Sequence, residues 1–147
     1  MFHGSSQLNL DSKGRLAIPA KYRDELLACC EGRLVVTADP DRCLLVYPQQ
    51  EWEPIQRKLM GLSSFNTKTR ALQRLLVGYA EDVEMDGAGR ILLPATLREY
   101  AGLDKRVMLA GQGNRLELWE EDRWHKQGAA IGSLEEGIPA ELEGFSL

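Results

Sequence analysis

Features that define membrane, secreted and metal-binding proteins are missing from this 147-residue sequence. No apolar run approaches the roughly 20 residues that span a bilayer, and the start, MFHGSSQ, lacks the basic and apolar regions of a secretory signal. The three cysteines, Cys29, Cys30 and Cys43, are an odd number without a Cys-x-x-Cys pair, so neither a disulfide framework nor a zinc site is indicated. We expect buried thiols and a cytoplasmic protein with no metal, no cofactor and no membrane partner.

Catalytic motifs are missing as well. The sequence has no nucleophile elbow, phosphate-binding glycine loop or metal-ligand cluster, and its two histidines are His3 and His125. One enzyme hypothesis is a hydrolase that uses Asp11 and Asp86 as paired carboxylates. Both aspartates lie in turns that backbone geometry explains better. We therefore expect no enzyme activity and no small-molecule substrate.

An overall excess of basic charge is also missing, since the formal net charge is −4. The charges are unevenly divided along the chain. Residues 1–80 carry 11 Lys+Arg and 8 Asp+Glu, net +3, whereas residues 81–147 carry 7 and 14, net −7. This asymmetry allows one face to attract nucleic acid while the opposite end keeps the molecule soluble. It permits a DNA partner without requiring one.

The sequence does contain an internal repeat. LDSKGRLAIPAKYR begins at residue 10, and MDGAGRILLPATLR begins at residue 85. Six residues recur at an offset of 75: Asp11, Gly14, Arg15, Pro19, Ala20 and Arg23 match Asp86, Gly89, Arg90, Pro94, Ala95 and Arg98. Alternating apolar residues around DSKG and DGAG predict hairpin-like strand, turn, strand units. The proline that follows each unit suits the first position of a helix.

The remainder of each repeat predicts a short helix and a second strand, turn, strand unit. We expect an α+β fold, mainly β with short helices. Because one repeat has too few apolar side chains to cover both faces of a four-stranded sheet, the two copies should pack as a pseudo-twofold pair. The predicted organisation is repeat 1 (5–52), a linking helical segment (53–80), repeat 2 (81–124) and a C-terminal helix with a loosely packed acidic tail (125–147).

The repeated Asp, Gly and Arg have a structural and a functional explanation. Asp and Gly can build a turn across which Arg pairs with Asp, and this explanation is favoured for Asp86, Gly89 and Arg90. In the first copy Lys13 replaces a small residue, so DSKGR places two cations at a tip that can approach a groove of B-DNA. Lysine suits a phosphate, whereas the planar fork of Arg15 can bind guanine O6 and N7 or a phosphate.

The sequence resembles the MraZ family in four segments that occur in the family's order: MFHGSSQLNLDSKGRLAIPAKYR, CLLVYPQQEWEPIQRKL, RALQRLLVGYAEDVEMDGAGRILLPATLREYAGL and ELWEEDRWHKQ. The resemblance covers nearly the whole chain and weakens after about residue 128. It implies a swapped-hairpin (double-split) β-barrel of the SpoVT-AbrB class, built from two interlocked repeats. It also implies a nucleoid-associated bacterial transcription regulator of the division and cell-wall gene cluster. Such proteins bind direct repeats in double-stranded DNA near the promoter of their own gene, as ring-like homo-oligomers.

The resemblance assigns DNA binding to particular residues. The family's Asp-x-Lys-Gly-Arg motif falls on Asp11, Lys13, Gly14 and Arg15, where Asp11 mainly shapes the turn. The second copy has Ala88 in place of the lysine, which leaves the contact of Arg90 with DNA open. His3 stands where a basic residue is common in the family, so its contribution should be smaller, because histidine is mostly neutral at pH 7.

Further cations are weaker DNA candidates, namely Lys21, Arg23, Lys68, Arg70 and Arg74. Exposure to solvent is the favoured explanation for each of them, and a helix cap or a carboxylate partner would account for Arg23 and Arg98 equally well. Two other functions stay open at this point. One is an AbrB-like antitoxin that binds DNA and blocks a toxin with its tail, and the other is a structural ring without a DNA role.

Overall fold

The computed structural model describes residues 1–132 of the chain. Its elements are β1 (Ser5–Asn9), β2 (Arg15–Ala17), α1 (Ala20–Cys30), β3 (Arg33–Ala38), β4 (Leu44–Pro48), α2 (Gln49–Met60), α3 (Thr67–Leu76), β5 (Glu81–Glu84), β6 (Arg90–Leu92), α4 (Ala95–Tyr100), β7 (Arg106–Gly111), β8 (Leu116–Glu120) and α5 (Glu121–Gly132). This order confirms the α+β class and the twofold β-β-α-β-β unit. No helix in this part of the chain is long and apolar enough to cross a membrane. The predicted acidic tail lies, from residue 133 on, outside the described residues.

The first two strands of each repeat pair with the other repeat. β1 pairs with β7, β5 pairs with β3, and β2 pairs with β6, all antiparallel. Among the strands within residues 1–132, only β3–β4 and β7–β8 form hairpins within one copy. The prediction of a hairpin around each Asp-Gly-Arg turn is therefore wrong. The turn closes, but its two strands enter different sheets, because the other copy supplies the pairing partner of each strand.

The strands form a six-stranded sheet in the order β1-β7-β8-β4-β3-β5 and a separate ribbon of β2 and β6. In the ribbon, Leu16 lies opposite Ile91, its equivalent at the offset of 75. The neighbouring pairs are Arg15–Leu92 and Ala17–Arg90. When each residue is replaced by its equivalent in the other repeat, the pair Arg15–Leu92 becomes the pair Arg90–Ala17. A pseudo-twofold axis therefore passes through the ribbon. The large sheet has an open strand order, with β1 and β5 at its edges, and the closed barrel stays a prediction.

Both faces of the large sheet are covered. One face packs against the ribbon, α1 and α4, and the other packs against α2 and α5, while α3 contributes Leu75 to the first core and Leu76 to the second. All five residues of β4 are buried as a result. Leu44 and Val46 belong to the first core, and Leu45 and Tyr47 belong to the second. This explains why the sequence of β4 is a continuous apolar run instead of an alternating one.

Helix starts differ slightly from the sequence prediction. Pro19 and Pro94 stand one position before α1 and α4, as N-cap residues with φ of −56° and −57° and ψ of 147° and 143°. Each helix begins directly after its proline, whose ψ is still extended, and the restricted φ of proline favours this geometry. At α3, the side chain of Asn66 accepts hydrogen bonds from the N–H groups of Lys68 and Thr69.

The cysteines are only partly buried. Cys43 is buried, and burial raises the pKa of its thiol. Cys30 continues the buried stripe of Tyr22 and Leu26 at a spacing of four and is half-buried. Cys29 is exposed, so the prediction of a buried thiol is wrong there. It lies one residue away from the stripe, and one residue of a helix turns the side chain by about 100°.

Alanine substitutions at Ile91 and Leu92 test which face of β6 points into the core. Ile91→Ala removes a side chain with 0% exposure and should lower the free energy of unfolding by about 2–5 kcal/mol. The neighbouring Leu92 is 57% exposed, and Leu92→Ala should cost less than about 1 kcal/mol. Urea unfolding of both variants gives the comparison. Equal losses would contradict the assignment of the inner and outer faces.

Candidate nucleic-acid interface

The first turn, residues 11–15, is organised by one carboxylate. Oδ1 of Asp11 accepts hydrogen bonds from the backbone N–H groups of Lys13 (2.9 Å) and Arg15 (2.8 Å), and Oδ2 accepts one from Nε of Arg15 (2.6 Å). The N–H of Asp11 donates to the carbonyl of Arg15 at 3.0 Å, which closes the turn. The arginine is thereby held through Nε, and among the described residues no partner engages its terminal Nη atoms.

These contacts stabilise the charged form of the carboxylate. The hydrogen bond from the backbone N–H of Arg15, followed by the side chain of Arg15 and the N–H of Lys13, lowers the pKa of Asp11 from 3.8 to about 2. At neutral pH the carboxylate is ionised and occupied by its own turn. This does not favour the hydrolase hypothesis, which needs a carboxyl group with a raised pKa as general acid.

The second turn, residues 86–90, repeats this geometry. Oδ1 of Asp86 accepts from the N–H groups of Ala88 and Arg90 at 2.9 Å each, and Oδ2 accepts from Nε of Arg90 at 3.0 Å. The hydrogen bond from the backbone N–H of Arg90 is the largest cause that lowers the pKa of Asp86. The structural explanation of the motif is thus valid for both turns. What differs is the tip, where the second turn has no counterpart of Lys13.

Each turn is also held by an arginine from the opposite repeat. Arg98 of α4 donates from Nε to the carbonyl of Leu93 (3.1 Å) and lies over Gly14. A Cβ added to Gly14 would stand 2.7 Å from Cζ of Arg98, and the φ of +81° at this glycine is unfavourable for other residues. The recurrence of Gly and Arg in the two copies therefore reflects a contact between the copies.

Arg23 of α1 makes the equivalent contact with the second turn. It donates from Nη2 to the carbonyl of Ile18 (2.8 Å), and its guanidinium lies over Gly89, whose φ is +76°. Nε of Arg23 is buried and has no hydrogen-bond partner within residues 1–132. This arginine, predicted as a weak DNA candidate, is thus placed in the contact between the repeats.

The ribbon presents both motif arginines on one surface. In β2 and β6 the central residues, Leu16 and Ile91, point into the core, so the residues on either side point outward. We call this surface the outer ribbon face, and it consists of Arg15, Ala17, Arg90 and Leu92. The structure therefore brings Arg15 and Arg90 together on one face, which the separate turns in the sequence did not reveal.

Additional charges surround the first turn. A cleft of about 540 Å³ beside it is lined by Gly14, Arg98 and Lys105 and by two acidic residues, Asp11 and Asp104. Lys13 itself is exposed at the tip, and no carboxylate of the described residues forms an ion pair with it.

Lys105 was not among the predicted residues. No motif marks it, since its place beside the turn depends on the pairing of the two repeats, where the N–H of Leu10 donates to its carbonyl.

Other predicted residues lie away from this surface. His3 is exposed at the end of β1 opposite to the first turn, where its carbonyl accepts a hydrogen bond from Tyr22 Oη (2.8 Å). The ammonium of Lys21 lies over the ring of Tyr22 at 4.8 Å. Three cations are carried by α3, which packs against β3 of the large sheet: Lys68, Arg70 and Arg74.

Comparison with known proteins gives the family. The model described as "MraZ protein, putative antitoxin-like" matches residues 1–75 and again residues 76–137. The chain belongs to the MraZ family.

Two proteins named "Transcriptional regulator MraZ", from Nitrosomonas eutropha and Nitrosospira multiformis, are 64% and 59% identical to it, over 148 and 147 residues. A third of that name, from Nitrosomonas europaea, is 60% identical over 148 residues. Each comparison covers the whole of both chains. Family and relatives indicate a transcription regulator.

The glycine contact can be tested with a control in the same turn. Gly89→Ala places a Cβ against Arg23 at a positive φ and should cost more than about 1 kcal/mol in unfolding free energy. Gly87→Ala meets no atom within 4 Å and should stay within about 0.5 kcal/mol of wild type. Thermal and urea unfolding measure both values. A Gly89 variant as stable as the Gly87 variant would show that the arginine contact is not required.

Proposed function

We propose that the chain is a sequence-specific DNA-binding transcription regulator whose DNA surface is the first turn and the outer ribbon face. One observation carries the proposal: Asp11 holds Arg15 through Nε, and neither Nη atom has a partner among the described residues. The exposed Lys13 adds a second cation at the same tip. Membership of a family of transcription regulators supports a DNA partner.

The held arginine is suited to base or phosphate recognition. A guanidinium whose Nε is engaged retains a planar edge that can donate to guanine O6 and N7 or to a phosphate. Because the side chain is already oriented by Asp11, less conformational entropy is lost on binding. Lys13 provides a mobile charge for a neighbouring phosphate. A two-stranded ribbon is narrow enough for the major groove, so Arg90 lies where it can assist Arg15.

The two turns have different roles in this proposal. Gly14 lets Arg98 pack against the first turn, and Asp11 keeps its backbone in shape, so neither residue has to contact DNA directly. Ala88 gives the second turn no charge at its tip, and we assign Arg90 an auxiliary part. His3 and Arg23 contribute less, since one lies at the far end of β1 and the other is engaged between the repeats.

Oligomerisation would allow an acidic chain to bind DNA tightly. Each subunit offers few cations, but several subunits on successive repeats multiply the phosphate contacts and raise the effective concentration. We propose a ring-like homo-oligomer that binds promoter direct repeats near its own gene, in the division and cell-wall cluster of a bacterial nucleoid. A closed ring requires a head-to-tail interface. The exchanged strands support assignment to the swapped-hairpin class, with 5–52 and 81–124 as its repeats.

A second candidate function is an antitoxin, because the description of the family model includes antitoxin likeness. An antitoxin of this class would bind DNA through the same turn and a toxin through a separate segment. Copurification of a stoichiometric toxin with the full chain would favour it. A chain that purifies as a homo-oligomer and binds DNA alone favours the regulator.

Fluorescence anisotropy tests the proposed DNA surface. The probe is DNA from immediately upstream of the protein's own gene, compared with a scrambled duplex over a salt series. Wild type should prefer the upstream DNA, and Lys13→Ala/Arg15→Ala should lose most of the affinity. The slope of log affinity against log salt should fall by about one for each phosphate contact removed.

The matched control removes two exposed cations from the opposite side of the large sheet. Arg57→Ala/Lys58→Ala, in the last turn of α2, changes the net charge by the same amount and should leave DNA binding almost unchanged. Both variants are first checked for folding and oligomeric state. Equal losses in the two variants would indicate a general charge effect, and equal binding of both duplexes by wild type would favour a structural ring.

A further inference from the structure

We infer that Leu92 determines part of the DNA sequence preference by contacting the 5-methyl group of a thymine in the major groove. The inference rests on the proposed function, because it assumes that the outer ribbon face meets DNA. It goes beyond that function by assigning an apolar base contact to a residue outside the charged motif.

The orientation of Leu92 is fixed by its neighbours. Ile91 and Leu93 have 0% exposure, whereas Leu92, between them, is 57% exposed. In a strand, alternate residues face opposite sides, so Leu92 points outward for as long as its neighbours remain in the core. The run ILL breaks the usual alternation of apolar and polar residues at this position. The first repeat has the small Ala17 at the equivalent place.

The surroundings of Leu92 favour a polyanion over another protein. Its cross-strand partner in the ribbon is Arg15. A groove of about 520 Å³ beside Leu92 is also lined by Lys13 and Arg98. An apolar side chain beside cations is complementary to the major groove, where thymine methyl groups lie among polar base edges between two rows of phosphates.

The same groove explains why a base edge is the expected contact. Its other wall is formed by β5, where Asp82 and Glu84 are exposed and line the groove. These two carboxylates offset the two cations of the groove, Lys13 and Arg98, so the groove attracts a phosphate less strongly than the tip of the first turn does. The thymine methyl is the apolar group that the major groove offers, and contacts between it and apolar side chains contribute to base discrimination.

The test compares two duplexes that differ only in this methyl group. The upstream DNA is prepared with thymidine or with deoxyuridine throughout, and binding of the full chain is measured by anisotropy. Wild type should bind the deoxyuridine duplex at least about fourfold more weakly, the factor expected from burying one methyl group. Leu92→Ala, which gives β6 the residue that β2 has, should bind both duplexes with equal affinity.

Leu62→Ala is the matched control, because Leu62 is 47% exposed in the connection between α2 and α3. It should retain the full preference of wild type for thymine. If wild type prefers the upstream DNA to a scrambled duplex but binds the thymine and uracil forms equally, the inference is wrong and the proposed function stands. If wild type binds no duplex preferentially, both fail. A changed oligomeric mass of Leu92→Ala would assign Leu92 to a protein interface and overturn the inference.

Discussion

The exchange of strands between the two repeats is the constraint on which the rest of the structure depends. Neither β1 nor β2 finds its hydrogen-bonding partner in its own copy, and the same is true of β5 and β6. Each repeat therefore completes the sheet and the core of the other. Because the ribbon and one face of the large sheet enclose a common core, the pseudo-twofold pairing of Leu16 with Ile91 places a side chain from each repeat in that core.

The geometry of the proposed DNA surface follows from the same constraint. Where the chain passes from β1 to β2, or from β5 to β6, it must turn sharply between two sheets, and Asp and Gly supply that turn. An arginine from the opposite copy then packs over the glycine, so the turn is fixed from both sides. Because the backbone of the turn is fixed, its charged tip can bind a ligand without a large rearrangement of the turn. The two turns nevertheless differ, because Lys13 is replaced by Ala88 at the second tip.

Local features of the site could be predicted from the sequence, and features that depend on the exchange could not. The pairing of Asp11 with Arg15 spans four residues, so spacing and turn chemistry were sufficient to predict it. The packing of Arg98 on Gly14 joins residues 84 positions apart and depends on which strands pair. The expected hairpins were wrong for the same reason. The exposure of Leu92 had a visible signal, the run ILL, but its position beside Arg15 required the register of the ribbon.

The central claim is that the first turn and the outer ribbon face contact DNA as one surface. Hydrogen exchange of the full chain with and without the upstream duplex, followed by mass spectrometry, tests it most directly. The account predicts slower exchange on DNA binding in peptides that cover residues 10–18 and 85–93, with little change in peptides from residues 49–60 of α2. Protection confined to α2 or α3, with both turns unchanged, would contradict it.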